Sequence, residues 1–119
     1  LTYEFRINME YYENLGFDFK EIRVVGGVSK SPFWMQIKAD ILNRDVVNVV
    51  EKDSACLGAA MIAMKAEGVY KTVEDAVRAC VKVDQVYHPN QKLVDEYDKM
   101  YRKYTKLYES LREFNKIQV

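Results

Sequence analysis

The spacing of apolar residues changes several times along this chain, and each change marks an element. Phe5, Met9 and Tyr12 recur at steps of four and three with Glu4, Glu10, Glu13 and Asn14 between them, which predicts a helix closed by Gly16. Ile22-Arg23-Val24-Val25 is β-branched and bounded by Gly16 and Gly26-Gly27, the pattern of a short buried strand. Ser31 is placed to cap the next helix, and Pro32 suits its first position because the missing N–H has no intrahelical partner there. Trp34, Ile37, Ile41 and Leu42 mark the expected buried face of that helix, and Val46 to Val50 form a second apolar strand. Asp53 or Ser54 then opens a helix of small residues through Leu57, Gly58, Ala59, Ala60, Ile62, Ala63 and Met64 to Gly68. Thr72 caps a further helix through Ala76, Ala79 and Cys80. Asp75, three residues on, gives a short-armed capping box, and Glu74 adds charge that the helix dipole favours. A Val86-Tyr87 segment and His88-Pro89-Asn90 interrupt the pattern, after which a long helix runs from about Gln91 to Phe114. Its stripe is Leu93, Tyr97, Tyr101, Tyr104, Tyr108 and Leu111.

This order of elements predicts an α/β chain, with short parallel strands joined by crossover helices and a long C-terminal helix. Two short parallel strands make a poor sheet, since both edges stay open, so further strands are expected from a missing part of the domain. The chain also opens on Leu1 rather than Met, already in a helical pattern. A fragment of a longer protein would begin this way, as would a processed N-terminus.

Charge and composition narrow the partners. Lys+Arg and Asp+Glu both total 18 across 119 residues, so no net field attracts a polyanion, and nucleic acid is not expected as a partner. The lysines interleaved with the tyrosine stripe allow a base-stacking reading, but tyrosine at helical spacing more simply supplies a core face whose hydroxyls reach the solvent edge. Cys56 and Cys80 sit in apolar helical patterns without a second ligand at metal spacing, which predicts buried free thiols and fits a reducing cytoplasm. No apolar run reaches the roughly 18 residues of a membrane span and no secretion signal is evident, so a soluble cytoplasmic protein is expected.

The candidate chemistry lies at Gly26-Gly27 and Ser31. In open parallel sheets ligands collect beyond the carboxyl ends of strands, where glycine lets a ligand approach the backbone and a helix N-terminus presents N–H groups. The run is neither a G-x-G-x-x-G fingerprint nor a Walker loop, so local evidence leaves a ligand turn and a plain strand-to-helix turn both open. His88 has no partner acid in view and reads as a loop histidine, while Asp84 and the Asp95-Glu96 pair read as solvated positions.

The run "VVGGVSKSPFWMQIKADIL" followed by "VVNVVEKDSACLGAAMIAMKAEG" resembles the C-terminal domain of the FGGY carbohydrate kinases, in particular their xylulokinase-like branch. The resemblance is carried by Gly26, Gly27, Ser31, Gln36, Ala39-Asp40 and Leu57-Gly58-Ala59-Ala60, with Asp53 where that family usually has Glu. "LTYEFRINMEYYENLG" and "VYHPNQKLVDEYDKMYRKYTKLYESL" are similar to its preceding helix and its closing segment, so the resemblance covers nearly the whole chain.

The resemblance implies part of an actin-like, ribonuclease-H-like ATPase fold, with residues 1–119 as a C-terminal fragment of the nucleotide-binding domain. Two domains of such a kinase enclose a cleft in which the γ-phosphoryl group of ATP passes to a sugar hydroxyl. Gly26 and Gly27 would let adenine or ribose lie against the backbone, and Ser31 would offer a hydrogen bond near the base. The small face from Gly58 to Ala60 would pack against that turn, and Asp40 would be structural. The cofactor implied is ATP, with Mg²⁺ in the full-length enzyme and no metal ligand in this chain. No catalytic residue is assigned, because the phosphate loops and the base belong to the absent part. The partners implied are adenine nucleotide, the remainder of the kinase chain and a second copy through exposed apolar surface. A stand-alone helical interaction module with no ligand at the glycine turn is the competing reading.

Overall fold

Helix α1, Thr2–Asn14, ends as the glycine at 16 predicts. Gly16 adopts φ +93 and its N–H donates to Glu13 O at 2.9 Å, while Phe17 N–H donates to Tyr12 O at 3.1 Å. This pair of bonds is a Schellman closure, sealed by the Tyr12 and Phe17 rings at 5.9 Å. The computed structural model describes residues 1–50 and 53–116.

After α1 come β1 (Glu21–Val24), a 3₁₀ turn (Gly27–Lys30), α2 (Pro32–Leu42) and β2 (Asp45–Val49). Then follow α3 (Ser54–Ala66), α4 (Val73–Cys80), β3 (Val83–Tyr87) and α5 (Gln91–Asn115). β1 and β2 pair in parallel from Glu21 opposite Asp45 to Val24 opposite Asn48, with α2 as the crossover. β3 was not foreseen. It pairs antiparallel with β2, giving a three-stranded sheet in the order β1-β2-β3 instead of the expected two-stranded parallel one. Its sequence lacked a signal because four of its five residues are exposed and only Tyr87 is buried, so backbone pairing alone marks the strand.

The core is small. Met35 and Ala39 of α2, Val46 of β2 and Tyr87 of β3 are buried together, with Ile22 and Val24 packed against them. The buried face of α2 is therefore rotated from the expected one: Ile41 and Leu42 are buried as predicted, but Met35 takes the inner position and Trp34 is 46% exposed. α1 likewise buries Met9 while Phe5 and Tyr12 stay half exposed.

Long side chains join α1 to α5. Arg6 donates to Asp98 at 2.7 Å and to Glu10 at 3.0 Å, and its guanidinium lies 4.1 Å from the centre of the Tyr101 ring. Tyr101 Oη donates to Glu10 at 2.5 Å and Tyr104 Oη donates to Glu4. The tyrosine stripe is thus partly core and partly polar edge: Tyr101 is buried, Tyr97 and Tyr104 half-buried, and the side chain of Tyr108 lies outside the described residues. Burial, with the Glu10 carboxylate beside it, pushes the Tyr101 phenol well above its ordinary pKa.

α3 departs most from expectation. The face from Gly58 to Ala60 does not pack on the glycine turn: Ala59 and Ala60 are exposed, and a Cβ at Gly58 would meet nothing within 4 Å. α3 packs instead on α4. Only Met61 of α3 is buried, and Leu57 and Met61 face Val25 and Val49 across an apolar cleft of about 220 Å³. Neither cysteine is buried, since Cys56 is exposed and Cys80 half-buried. The reason is the same for Cys56: the helix carrying it presents its apolar residues to open space. The Cα radius of gyration of 18.4 Å exceeds the roughly 13–14 Å of a compact chain of this length.

Candidate functional site

The glycine turn begins where β1 ends. Gly26 has φ 83 and ψ −160, a conformation essentially reserved to glycine, and it reverses the chain from the strand into the 3₁₀ turn. Ser29 is buried there, and its Oγ donates to Gly26 O at 2.7 Å while its N–H donates to the same oxygen at 3.2 Å. Ser31 ends the turn with extended backbone, and its Oγ accepts from Trp34 N–H at 3.4 Å, capping α2 as the sequence predicts. Pro32 occupies the first helical position.

The three residues singled out by sequence therefore lie on one segment at the carboxyl end of β1. In front of Gly26 and Gly27 there is open space, since a Cβ at either position would meet nothing within 4 Å. Gly27 is exposed, and Val25, Val28, Phe33 and Trp34 carry exposed apolar surface beside it in the chain. A planar apolar group with polar substituents, such as a nucleoside, suits this combination of bare backbone, apolar flanks and one hydroxyl.

Beneath the turn is a side chain that the sequence reading missed. Asn48 of β2 is 5% exposed, and its Nδ2 donates to Ser29 O at 3.3 Å and to Asp84 Oδ2 at 3.2 Å. Its signal was visible as the single polar residue in Val46-Val47-Asn48-Val49-Val50. Asp84, read as merely solvated, is exposed yet takes one of these bonds.

Other candidate groups lie elsewhere. His88 does have a partner acid, Asp45, with Nδ1 and Oδ1 at 2.8 Å. Asp45 starts β2 whereas the turn follows Val24, opposite Asn48, so this pair sits at the far end of the sheet from Gly26. Asp40 is 2% exposed, and its Oδ1 accepts from Asn90 N–H at 2.8 Å and from Gln36 Nε2 at 2.9 Å, which fixes the start of α5. Among the described residues no cluster of three His, Cys, Asp or Glu side chains is placed to hold a metal ion, and no helix is long and apolar enough to cross a membrane.

Comparison with known proteins decides the family. Residues 1–67, more than half of the chain, match the model for the C-terminal domain of the FGGY family of carbohydrate kinases. The chain belongs to that family. A xylulose kinase of Staphylococcus epidermidis is 32% identical over 113 residues, covering 95% of this chain and 23% of the relative. A human FGGY carbohydrate kinase domain-containing protein is 33% identical over 109 residues, covering 92% of this chain and 20% of the relative. Among solved structures, a xylulose kinase from Rhodospirillum rubrum superposes with a TM-score of 0.81 at 27% identity over 95% of this chain and 23% of its own. A ligand-bound xylulose kinase from Lactobacillus acidophilus gives 0.73 at 30% identity, covering 78% and 19%. The α/β architecture is thus that of the FGGY kinases within the actin-like ATPase fold, and the chain spans about a quarter or less of these relatives' lengths.

Proposed function

We propose that this chain supplies the adenosine-binding wall of an ATP-dependent sugar kinase of the xylulokinase type. In this reading residues 1–119 belong to the nucleotide-binding domain, Gly26 and Gly27 bring bare backbone against the adenine or ribose, and Ser31 offers a hydroxyl near the base. The observation that carries the proposal is the open space before two glycines at the carboxyl end of a parallel strand, in a chain of the FGGY family. Phosphoryl transfer from ATP to a sugar hydroxyl, with its Mg²⁺, belongs to the whole enzyme, whose phosphate loops and base are expected from the remainder of the kinase chain.

ATP or ADP added to the isotope-labelled chain should shift the amide resonances of Gly26, Gly27 and Ser31 at millimolar concentration, as expected of half a site. A response confined to other residues would overturn the assignment and favour the helical interaction module. The chain alone, mixed with ATP, Mg²⁺ and xylulose, should give no turnover above background, and clear turnover would refute the assignment of catalysis to the missing part. The proposed setting is the cytoplasm. Exposed apolar groups such as Phe33 and Ile62, with the open outer edge of β1, are proposed to drive self-association of the isolated chain. Sedimentation should show dimers or larger species, and a monomer at high concentration would contradict it.

A further inference from the structure

We infer that Asn48 is a positioning residue for the nucleotide turn, setting the height of Gly26 to Ser29 above the sheet through a bond to the Ser29 carbonyl. The inference rests on the nucleotide reading above for its functional meaning, although its geometric part stands without any ligand. Asn48 is the polar interruption of a buried strand, at the position of β2 directly opposite Val24, the last residue of β1. Its two neighbours, Ser29 O and the Asp84 carboxylate, are both acceptors, so only the amide donor can face them. Its Oδ1 is buried without a hydrogen-bond partner among the described residues, so the side chain is held by its donor alone.

The bonds run on from there. Asp84 on β3 orients Asn48, Asn48 holds the Ser29 carbonyl, and the Ser29 hydroxyl and N–H both hold the Gly26 carbonyl. Each of these groups is anchored to the next, and the last belongs to the residue with glycine-only backbone. An apolar residue at 48 would satisfy the strand's burial equally well. What it would lose is the donor that ties the turn to the sheet, leaving the Ser29 carbonyl without its side-chain donor.

Three variants separate positioning from simple stability. Asn48→Asp removes the donor toward both partners. The double variant Asn48→Asp with Asp84→Asn restores a donor–acceptor bond between β2 and β3, now with the donor on position 84, but still presents only an acceptor to Ser29 O. Asp84→Asn alone keeps an acceptor for Asn48 and leaves its donor on Ser29. In the ligand-free chain, Asn48→Asp and the double variant should both speed amide exchange of Ser29 by about ten-fold and move the Gly26 and Gly27 resonances, while Asp84→Asn does neither. The double variant should recover the melting temperature lost by Asn48→Asp, and it carries the measurement if the single variant does not fold. ADP affinity should fall by about ten-fold in both variants lacking the donor and hold in Asp84→Asn. Recovery of Ser29 protection and ADP affinity together with melting temperature in the double variant would show Asn48 to be only a strand tie, and would overturn the inference. If ADP perturbs no turn amide of the unaltered chain, the nucleotide reading fails, while Ser29 exchange still decides whether Asn48 sets the turn.

Discussion

Helices α2 and α3 follow the two strands of the parallel β1–β2 pair, both carry a side-chain cap, and both are rich in apolar residues, yet they are used differently. α2 buries Met35, Ala39, Asp40, Ile41 and Leu42, with strand neighbours on one side and α1 and α5 on others. α3 buries Met61 alone, and Ile62 is 62% exposed. Hydrophobic composition sets what a helix is able to bury, whereas its neighbours set what it does bury. α2 finds most of its packing within this chain, although Phe33 and Trp34 at its start stay exposed, whereas α3 keeps most of its apolar residues outward.

The sharpest test of that difference is a pair of truncations. Met35→Ala should cost about 2–5 kcal/mol in chemical denaturation because it empties the core at the α2–sheet contact. Ile62→Ala on α3 should cost no more than about 0.5 kcal/mol at concentrations dilute enough to keep the chain monomeric, as an exposed site does. Equal costs in the dilute monomer would mean that Ile62 is covered within the chain itself, and the comparison would break. Next in size is Gly26→Ala, expected to cost about 1–3 kcal/mol through backbone strain, because its Cβ meets no neighbour. Gly27→Ala should leave melting unchanged, since that residue has neither a positive φ nor a crowded Cβ, but should weaken the nucleotide response if the ligand lies against it.

Smaller effects separate the two caps. Ser31→Ala should destabilise by about 0.5–1 kcal/mol, the lower end for a cap, given the 3.4 Å bond to Trp34 N–H. Asp53→Ala should fray the start of α3, where Asp53 Oδ1 accepts from Cys56 N–H at 3.1 Å, and amide exchange at Cys56 reports it. The smallest effect is on the α1–α5 contact. The hydrogen bond from Arg6 holds the Asp98 carboxyl below its ordinary pKa, with Arg102 adding to it. A depressed folded-state pKa gives stability that is complete above the unfolded carboxylate value near pH 4 and lost as pH falls through the lower folded value. Melting temperature should therefore drop more steeply below about pH 4 in the unaltered chain than in Asp98→Asn.

How far the sequence was legible follows from the same contrast. The caps at Ser31 and Thr72, the stop at Gly16 and the crossover from β1 to β2 are written in local residue chemistry, and they form as read. Thr72 Oγ1 accepts from Asp75 N–H at 3.1 Å as the expected cap, while the Asp75 carboxylate accepts from the Thr72 hydroxyl at 2.8 Å and not from the backbone N–H that a full box would use. β3 was illegible because an exposed edge strand has no apolar alternation to show. The inner role of Met35 over Trp34 depends on which way the sheet meets α2, which spacing alone leaves open by one position. The turn at Gly26 was legible as a turn, but its support by Asn48 needed the register that puts residue 48 opposite residue 24.

The bonds between α1 and α5 also impose an order in time. Glu10 and Tyr101 are 91 positions apart, and Glu4 and Tyr104 are 100 apart. As the chain leaves the ribosome, α1 emerges well before α5 and can settle on α2 once Arg6 reaches Ile41 O at 3.1 Å. Its outer flank then waits through the synthesis of β2, α3, α4 and β3 before Asp98, Tyr101 and Tyr104 of α5 arrive. During that interval Glu4 and Glu10 lack their tyrosine partners, and α5 completes a helix made some ninety residues before it.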